Sequence, residues 1–160
     1  MEQILDTAQV ETKPVYVGFW MRVAAYLIDG ILLGIVQVIL MFTVLGSTFY
    51  GMRDMQPGDM PPASMFGKMM ILYAVIFAVQ WLYFAGMESS AKQATIGKMA
   101  IGAKVTDLNG NRIGFGKATG RFFAKIISSL ILCIGFMMVG FTEKKQGLHD
   151  QMAGTLVVKN

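Results

Sequence analysis

The chain has 160 residues, of which 54% are hydrophobic and 15% are charged, with a net charge of +4 and a pI near 9.3. This composition is too apolar for an ordinary soluble domain and is typical of a small polytopic membrane protein built as one domain. The basic residues flank apolar runs, so we interpret the positive charge as a membrane feature and predict no binding to nucleic acid.

The chain carries one cysteine (Cys133) and one histidine (His149). A single cysteine excludes a disulfide within one chain, and the pair is too small a set for a zinc site of the usual ligands. We find no nucleophile–base arrangement that would support covalent catalysis. We therefore predict a protein without metal, cofactor or enzymatic activity.

Residues 1–16 are polar and mildly acidic, without a basic stretch before the first apolar run. This pattern differs from a cleavable signal peptide, so we predict a flexible cytoplasmic tail followed by a single membrane domain over residues 17–158.

The first apolar segment, at about residues 19–45, is long enough to cross a bilayer as a helix, yet Asp29 interrupts it. A carboxylate at the centre of a membrane helix costs about 2.5–3.5 kcal/mol on the mildest scale. Arg22 lies seven residues earlier, on nearly the same helix face. Asp29 is therefore a candidate functional residue. Paired with Arg22 it would stay ionised and be structural, whereas unpaired it would be able to carry a proton.

Two glycines and two glutamines mark further polar or close-packed positions in the membrane. Gly30 and Gly34 form a small-xxx-small pattern that favours close helix packing within the chain, with homodimerisation as the alternative. A second predicted transmembrane helix covers about residues 66–86 and contains Gln80, which faces Gln37 of the first helix in our interpretation. The two amides would hydrogen-bond to one another or line a polar path.

A third apolar segment covers about residues 118–141, but Arg121 and Lys125 interrupt its start and leave 16 uninterrupted apolar residues. That length is at or below the minimum for one span, so the segment either spans or re-enters. Residues 87–125 carry seven Lys and Arg, which places that stretch and the N-terminus in the cytoplasm and residues 46–65 outside.

Residues 104–107 and 112–113 flank Asn109-Gly110, a pattern that predicts a small cytoplasmic β-hairpin. An isolated hairpin is marginal in water, and residues 155–158 form the obvious third strand. That pairing requires a cytoplasmic C-terminal tail, so we favour re-entry of the third segment over a full span.

Three segments together resemble the RDD family of small bacterial membrane proteins, named for an arginine and two aspartates. Residues 18–29 (GFWMRVAAYLID) hold the arginine and the first aspartate, and residues 146–150 (QGLHD) hold the second. Residues 93–98 (QATIGK) continue the similarity towards Arg121. The matching positions are Arg22, Asp29, Gly97, Lys98, Arg121, His149 and Asp150.

The resemblance implies an integral membrane protein of bacteria. Together with the apolar segments it leads us to predict an all-α protein of the bacterial cytoplasmic membrane, with two full spans, a third apolar segment that spans or re-enters, and the small cytoplasmic β element. It also implies transport of a small solute, with exchange of a monovalent cation for protons suggested for some members. In this chain such a transporter would need a homo-oligomer, with Arg22, Asp29 and Asp150 as a charge cluster. The alternative is a non-transporting membrane scaffold or accessory subunit in which that cluster is structural.

Overall fold

The computed structural model describes residues 14–53, 60, 63–130 and 134–160. Most of the predicted N-terminal tail, part of the predicted outer loop (residues 54–59 and 61–62) and Cys133 lie outside these ranges. The elements in chain order are α1 (Phe19–Met52), α2 (Ala63–Ser89), α3 (Ile96–Ala100), β1 (Ala103–Asp107), α4 (Phe115–Leu130), α5 (Ile134–Met137), a 3-10 turn (Met138–Gly140), α6 (Leu148–Ala153) and β2 (Thr155–Lys159).

Helices α1 and α2 are long and apolar enough to cross a membrane. At about 1.5 Å per residue they measure about 51 Å and 40 Å, more than the roughly 30 Å of the hydrocarbon core. Trp20 and Tyr50 of α1 are 78% and 79% exposed and lie about 45 Å apart, the spacing of the two interfacial regions. The charged residues at the helix ends therefore have room outside the hydrocarbon.

Both helices extend beyond the predicted limits of 19–45 and 66–86. Thr43, Ser47 and Thr48 sit near the end of α1, and each hydroxyl donates to a backbone carbonyl three or four residues earlier. These bonds satisfy the hydroxyl groups within the helix, so polar residues after the apolar run do not end it.

The predicted third segment, residues 118–141, is not one continuous helix. In the described ranges no third helix reaches spanning length. α4 buries Arg121 and Ser128 and exposes Phe123 and Leu130, so its polar side faces the protein. Gly135 of α5 lies against Ser128, where an added Cβ would be 2.9 Å from the serine Cβ. The chain has therefore turned back along α4 by residue 135.

The sheet has two strands, β1 and β2, paired antiparallel with Val105 opposite Val157. The predicted partner of β1, residues 112–113, forms no strand, so the hairpin prediction is wrong, although the chain does turn at Gly110 (φ 84°). Ile113 is buried in the core beside Val105 instead, and the chain runs directly into α4. Five residues of β2 pair with β1, whereas residues 112–113 would have provided only two.

The N-terminal stretch completes this element on the other side of β2. Tyr16 bridges to Val158, the Val17 amide donates to the Val157 carbonyl, and the Lys159 amide donates to the Val15 carbonyl. Val15 and Tyr16, which we had placed in the flexible tail, are therefore hydrogen-bonded. The start of α1, the residues after α2 and the C-terminal strand all lie at one end of the helix pair.

Candidate functional site

The antiparallel arrangement of α1 and α2 brings the start of one helix beside the end of the other. Arg22 in the first turn of α1 and Glu88 in the last turn of α2 therefore meet at the same end. Helices α3, α4 and α6 pack there and add further charges. We call the resulting set the charge network; it consists of Arg22, Glu88, Lys98, Arg121, Lys125 and Asp150.

Asp150 is the fully buried acceptor on one side of the charge network. Arg121 donates to its Oδ1 from Nε at 2.9 Å and from Nη2 at 2.5 Å, and Arg22 donates to its Oδ2. The Gly147 amide adds a bond to Oδ2 at 3.2 Å, which caps the start of α6. Arg22 also donates to the Lys145 carbonyl at 2.5 Å. One carboxylate thus ties α6 to both α1 and α4.

Glu88 is the matching acceptor on α2 and is 1% exposed. Its Oε2 accepts from Arg121 Nη1 at 3.1 Å, and its Oε1 accepts from Lys98 Nζ at 2.5 Å and from Lys125 Nζ at 3.2 Å. Arg121 therefore bridges Glu88 and Asp150. Without Arg121, each of the two buried carboxylates would lose a charge partner, and proteins rarely tolerate a buried charge that is incompletely paired.

The surroundings change the proton affinity of the network residues that lie outside the two long helices. Burial opposes ionisation of Asp150, but Arg121 and Arg22 outweigh it and hold its pKa below the ordinary range. Burial lowers the pKa of Lys98 to about 7, against the opposing effect of Glu88. Burial also lowers the pKa of Lys125, again against Glu88. Desolvation therefore decides the direction of the pKa shift at the two lysines, and ion pairing decides it at Asp150.

His149 is buried beside Asp150, with Nε2 3.4 Å from the carboxylate and the ring 5.0 Å from the ring of Phe136. Its Nδ1 has no hydrogen-bond partner among the described residues. Burial lowers the pKa of His149 to about 3, and Arg121 and Lys125 act in the same direction. The imidazole is therefore neutral at physiological pH.

We expect His149 to make the protein sensitive to acid. The unfolded chain binds a proton at this residue below pH 6.5, whereas the folded chain does so only near pH 3. Stability should therefore be complete above pH 6.5 and fall on acidification, by at most about 1.4 kcal/mol per pH unit. Thermal unfolding in detergent at pH 7.5, 6 and 5 measures this slope. His149→Gln should flatten it, and equal slopes for both proteins would refute the assignment.

Asp29 is held by a separate set of contacts, which we call the Asp29 clasp. It is 2% exposed, and its Oδ1 accepts from the Tyr83 hydroxyl and the Gly97 amide, both at 2.7 Å. Its Oδ2 accepts from the Thr95 hydroxyl at 2.6 Å. Thr95 also caps α3 by accepting from the Lys98 amide. The three donors stabilise a carboxylate inside an apolar helix and attach α3 to α1.

The predicted cluster of Arg22, Asp29 and Asp150 is therefore divided between two sites. Arg22 contacts Asp150, and Asp29 belongs to the clasp; the described hydrogen bonds of Arg22 go to Val17, Lys145 and Asp150. Arg22 therefore pairs with Asp150 and not with Asp29, and the three residues do not form one cluster. The start of α3 supplies partners of Asp29, and α6 supplies the partner of Arg22. Because both elements are far along the chain, the spacing of residues within α1 could not identify these contacts.

The other predicted polar and glycine positions have mixed outcomes. Gly30 and Gly34 have no neighbour within 4 Å of an added Cβ, so in the described part of the chain they mediate no close packing. Gln37 and Gln80 share no hydrogen bond there, and Gln80 lines the cavity described below. Gly97, by contrast, is packed against the Ala25 carbonyl of α1.

Our sequence analysis missed four of the site residues, namely Tyr83, Glu88, Thr95 and Lys125. Lys125 had a signal, because it is a cation that interrupts an apolar segment. Glu88 had a signal, because it is an acidic residue at the end of an apolar run whose end must lie beside Arg22. Thr95 had a weaker one, as a capping residue at the start of α3. Tyr83 had none, since an aromatic residue in a membrane helix is ordinary.

A cavity of about 590 Å³ adjoins the charge network, and we call it the cleft. It is half open and mostly apolar, with walls from α1, α2 and α4. Within the described ranges no group of three or more His, Cys, Asp or Glu could hold a metal ion. Its lining includes the apolar residues Leu27, Phe77, Phe84 and Ile126 and the polar residues Arg22, Asp29, Gln80, Lys98, Arg121, Lys125 and Ser129.

A model of the RDD family matches residues 16–154, a range that includes both the charge network and the Asp29 clasp. The chain belongs to the RDD family. The resemblance drawn from residues 18–29, 93–98 and 146–150 is confirmed. As an RDD protein with two apolar helices of spanning length, the chain is a membrane protein.

Several proteins are similar to this RDD protein over most of its length. The uncharacterized protein YxaI of Bacillus subtilis is 36% identical over 88% of this chain and 95% of its own. The uncharacterized membrane protein YteJ of the same organism is 31% identical over 89% of this chain and 80% of its own. A proline-rich antigen of Mycobacterium leprae is 32% identical over 86% of this chain and 59% of its own. No solved structure matches the chain.

Proposed function

We propose that this RDD protein is a non-transporting, non-enzymatic membrane scaffold or accessory subunit whose buried charges are structural. The observation that carries the proposal is the Asp29 clasp, in which both carboxylate oxygens are already engaged by Tyr83, Thr95 and Gly97. A carboxylate that exchanges protons or cations needs access to water, whereas Asp29 is 2% exposed. The clasp is suited to holding α3 in one position against the membrane helices.

The charge network supports the same proposal. It joins α1, α2, α3, α4 and α6 through two carboxylates, so its loss would weaken the attachment of the short helices α3, α4 and α6 to the helix pair. Such a platform would lie at one end of the two membrane helices, where a partner could reach it. The seven Lys and Arg in residues 87–125 favour the cytoplasm for this end, together with the N-terminus.

Transport by a homo-oligomer is the second candidate, and the cleft favours it. The cleft reaches Asp29, Gln80 and Lys98, which are polar groups that a cation or proton pathway would use. Two helices of spanning length are too few to enclose a pathway, so this function requires several copies of the chain. The transported species would be a monovalent cation, in exchange for protons.

The variant Asp29→Asn distinguishes the two proposals. An amide NH₂ would face at least one of the three donors of the clasp, so we expect destabilisation by about 1–3 kcal/mol. The purified protein and variant are compared by thermal unfolding and by cation-dependent proton flux in proteoliposomes. A scaffold predicts a lower Tm and no flux from either protein. Flux in the wild type that Asp29→Asn abolishes, at unchanged Tm, would establish transport instead.

A further inference from the structure

The cleft combines an apolar wall with a cationic floor. Phe77 and Leu27 come from the two membrane helices and are exposed, so the cleft opens on the apolar flank of the helix pair. Arg22 and Lys125 lie at its inner end, with side chains that are 13% and 15% exposed. A molecule entering from this flank would meet hydrocarbon-like walls first and positive charge last.

The charges around the cleft do not balance. The charge network holds four cations, Arg22, Lys98, Arg121 and Lys125, against Glu88 and Asp150. Including Asp29, which the clasp binds through uncharged donors, four cations face three carboxylates. With all four cations protonated, one positive charge is in excess in a largely buried site, where an uncompensated charge is costly, and burial accordingly lowers the pKa of Lys98 to about 7. A ligand with one negative charge would compensate it.

Lys125 also has hydrogen-bonding capacity left for such a ligand. An ammonium group has three donors, and in the described part of the chain Lys125 Nζ uses one, to Glu88. The same nitrogen lies 4.5 Å from the centroid of the Phe84 ring, which holds it at the wall of the cleft. Lys98 Nζ likewise uses one donor, also to Glu88.

We propose that the cleft binds an anionic phospholipid, with its phosphate on Lys125 and Lys98 and an acyl chain along Phe77 and Ile126. The volume of the cleft is within the usual range of about 300–1,000 Å³ for ligand sites. Basic pockets between membrane helices bind acidic head groups by the same chemistry. A free phosphate would satisfy the charge but would leave the apolar walls uncovered, so the lipid fits better.

The test measures the Tm of the purified full-length protein in a nonionic detergent, titrated with dioleoyl phosphatidylglycerol. A ligand that binds only the folded state raises the Tm with its concentration. We expect a saturable increase with phosphatidylglycerol and none with dioleoyl phosphatidylcholine or inorganic phosphate. An equal increase with phosphatidylcholine would overturn the proposal. An equal increase with phosphate or oleate would overturn the assignment to a phospholipid.

Two lysines of α4 provide matched variants. Lys125→Gln removes one of the two cations assigned to the phosphate and should weaken phosphatidylglycerol binding at least tenfold. Lys117→Gln removes the same charge from an exposed position of the same helix and should leave binding unchanged. Equal weakening by both would indicate attraction to general surface charge and would refute the site.

A second variant covers the case in which Lys125→Gln does not fold. Ser129 is exposed and lines the cleft, so Ser129→Phe narrows it while every charge is kept. We expect the Tm without lipid to stay near that of the wild type and the increase with phosphatidylglycerol to be lost. A full increase in Ser129→Phe would contradict binding in the cleft.

Discussion

Replacing Asp150 with asparagine is expected to lower the free energy of unfolding by about 3–5 kcal/mol, the usual cost of breaking a buried ion pair on one side. Asp150 is fully buried and accepts from Arg22 and Arg121 together. An amide would leave the Arg22 guanidinium without its charge partner and the Arg121 guanidinium with Glu88 alone. For a chain of this length the loss corresponds to a decrease in Tm of about 6–20 °C, measurable by thermal unfolding in detergent.

Glu143→Gln is the matched control for Asp150→Asn. Glu143 lies in the connection that precedes α6, the helix of Asp150. It is exposed and belongs to neither the charge network nor the clasp. Neutralising it should change stability by no more than about 0.5 kcal/mol. If Asp150→Asn unfolded at the same temperature as Glu143→Gln, the charge network would not hold the fold together.

Gly97→Ala is expected to cost about 3 kcal/mol, although it adds one methyl group. The new Cβ would collide with the Ala25 carbonyl and would lie 2.9 Å from Asp29 Cγ. Neither group can move easily, since one is helix backbone and the other is fixed by the clasp. Overpacking typically costs about 1–3 kcal/mol, and the hydrogen bond from the Gly97 amide to Asp29 would also weaken.

Gly116→Ala separates this effect from a general glycine effect. Gly116 lies in α4 with no atom within 4 Å of an added Cβ. Alanine is favoured over glycine in a helix by up to about 1 kcal/mol, so this variant should be neutral or more stable. A Gly97→Ala protein as stable as Gly116→Ala would show that α3 does not pack tightly on α1.

Both predictions rest on the way in which the chain stabilises charge in an apolar setting. Arg121 and Ser128 face inward on α4, while Phe123 and Leu130 face outward. Glu88 and Asp150 accept hydrogen bonds from cations, and Asp29 accepts them from two hydroxyls and an amide. Charged donors at Glu88 and Asp150 and uncharged donors at Asp29 therefore meet the same requirement, which is that a buried carboxylate be hydrogen-bonded.

The long-range part of the fold was partly predictable. A strand at residues 155–158 beside the predicted hairpin was expected from the need for another strand, and β2 is formed there and pairs with β1. The strand at 112–113 was not formed, because Ile113 is buried in the core and Arg112 donates to the Ser89 carbonyl at 2.8 Å. Turn residues predict that a chain reverses, but burial decides which segments then pair.

By itself the sequence indicated the two membrane helices and singled out Arg22 and Asp29, because apolar length and charge in a membrane segment are properties of neighbouring residues. Its resemblance to the RDD family singled out Asp150. Only the tertiary structure decided which charges meet. Asp29 binds Thr95 and Gly97, 66 and 68 positions away, and Arg22 binds Asp150, 128 positions away. Such contacts depend on how the short helices pack at the end of α1 and α2, and residue spacing along the chain carries no measure of that packing.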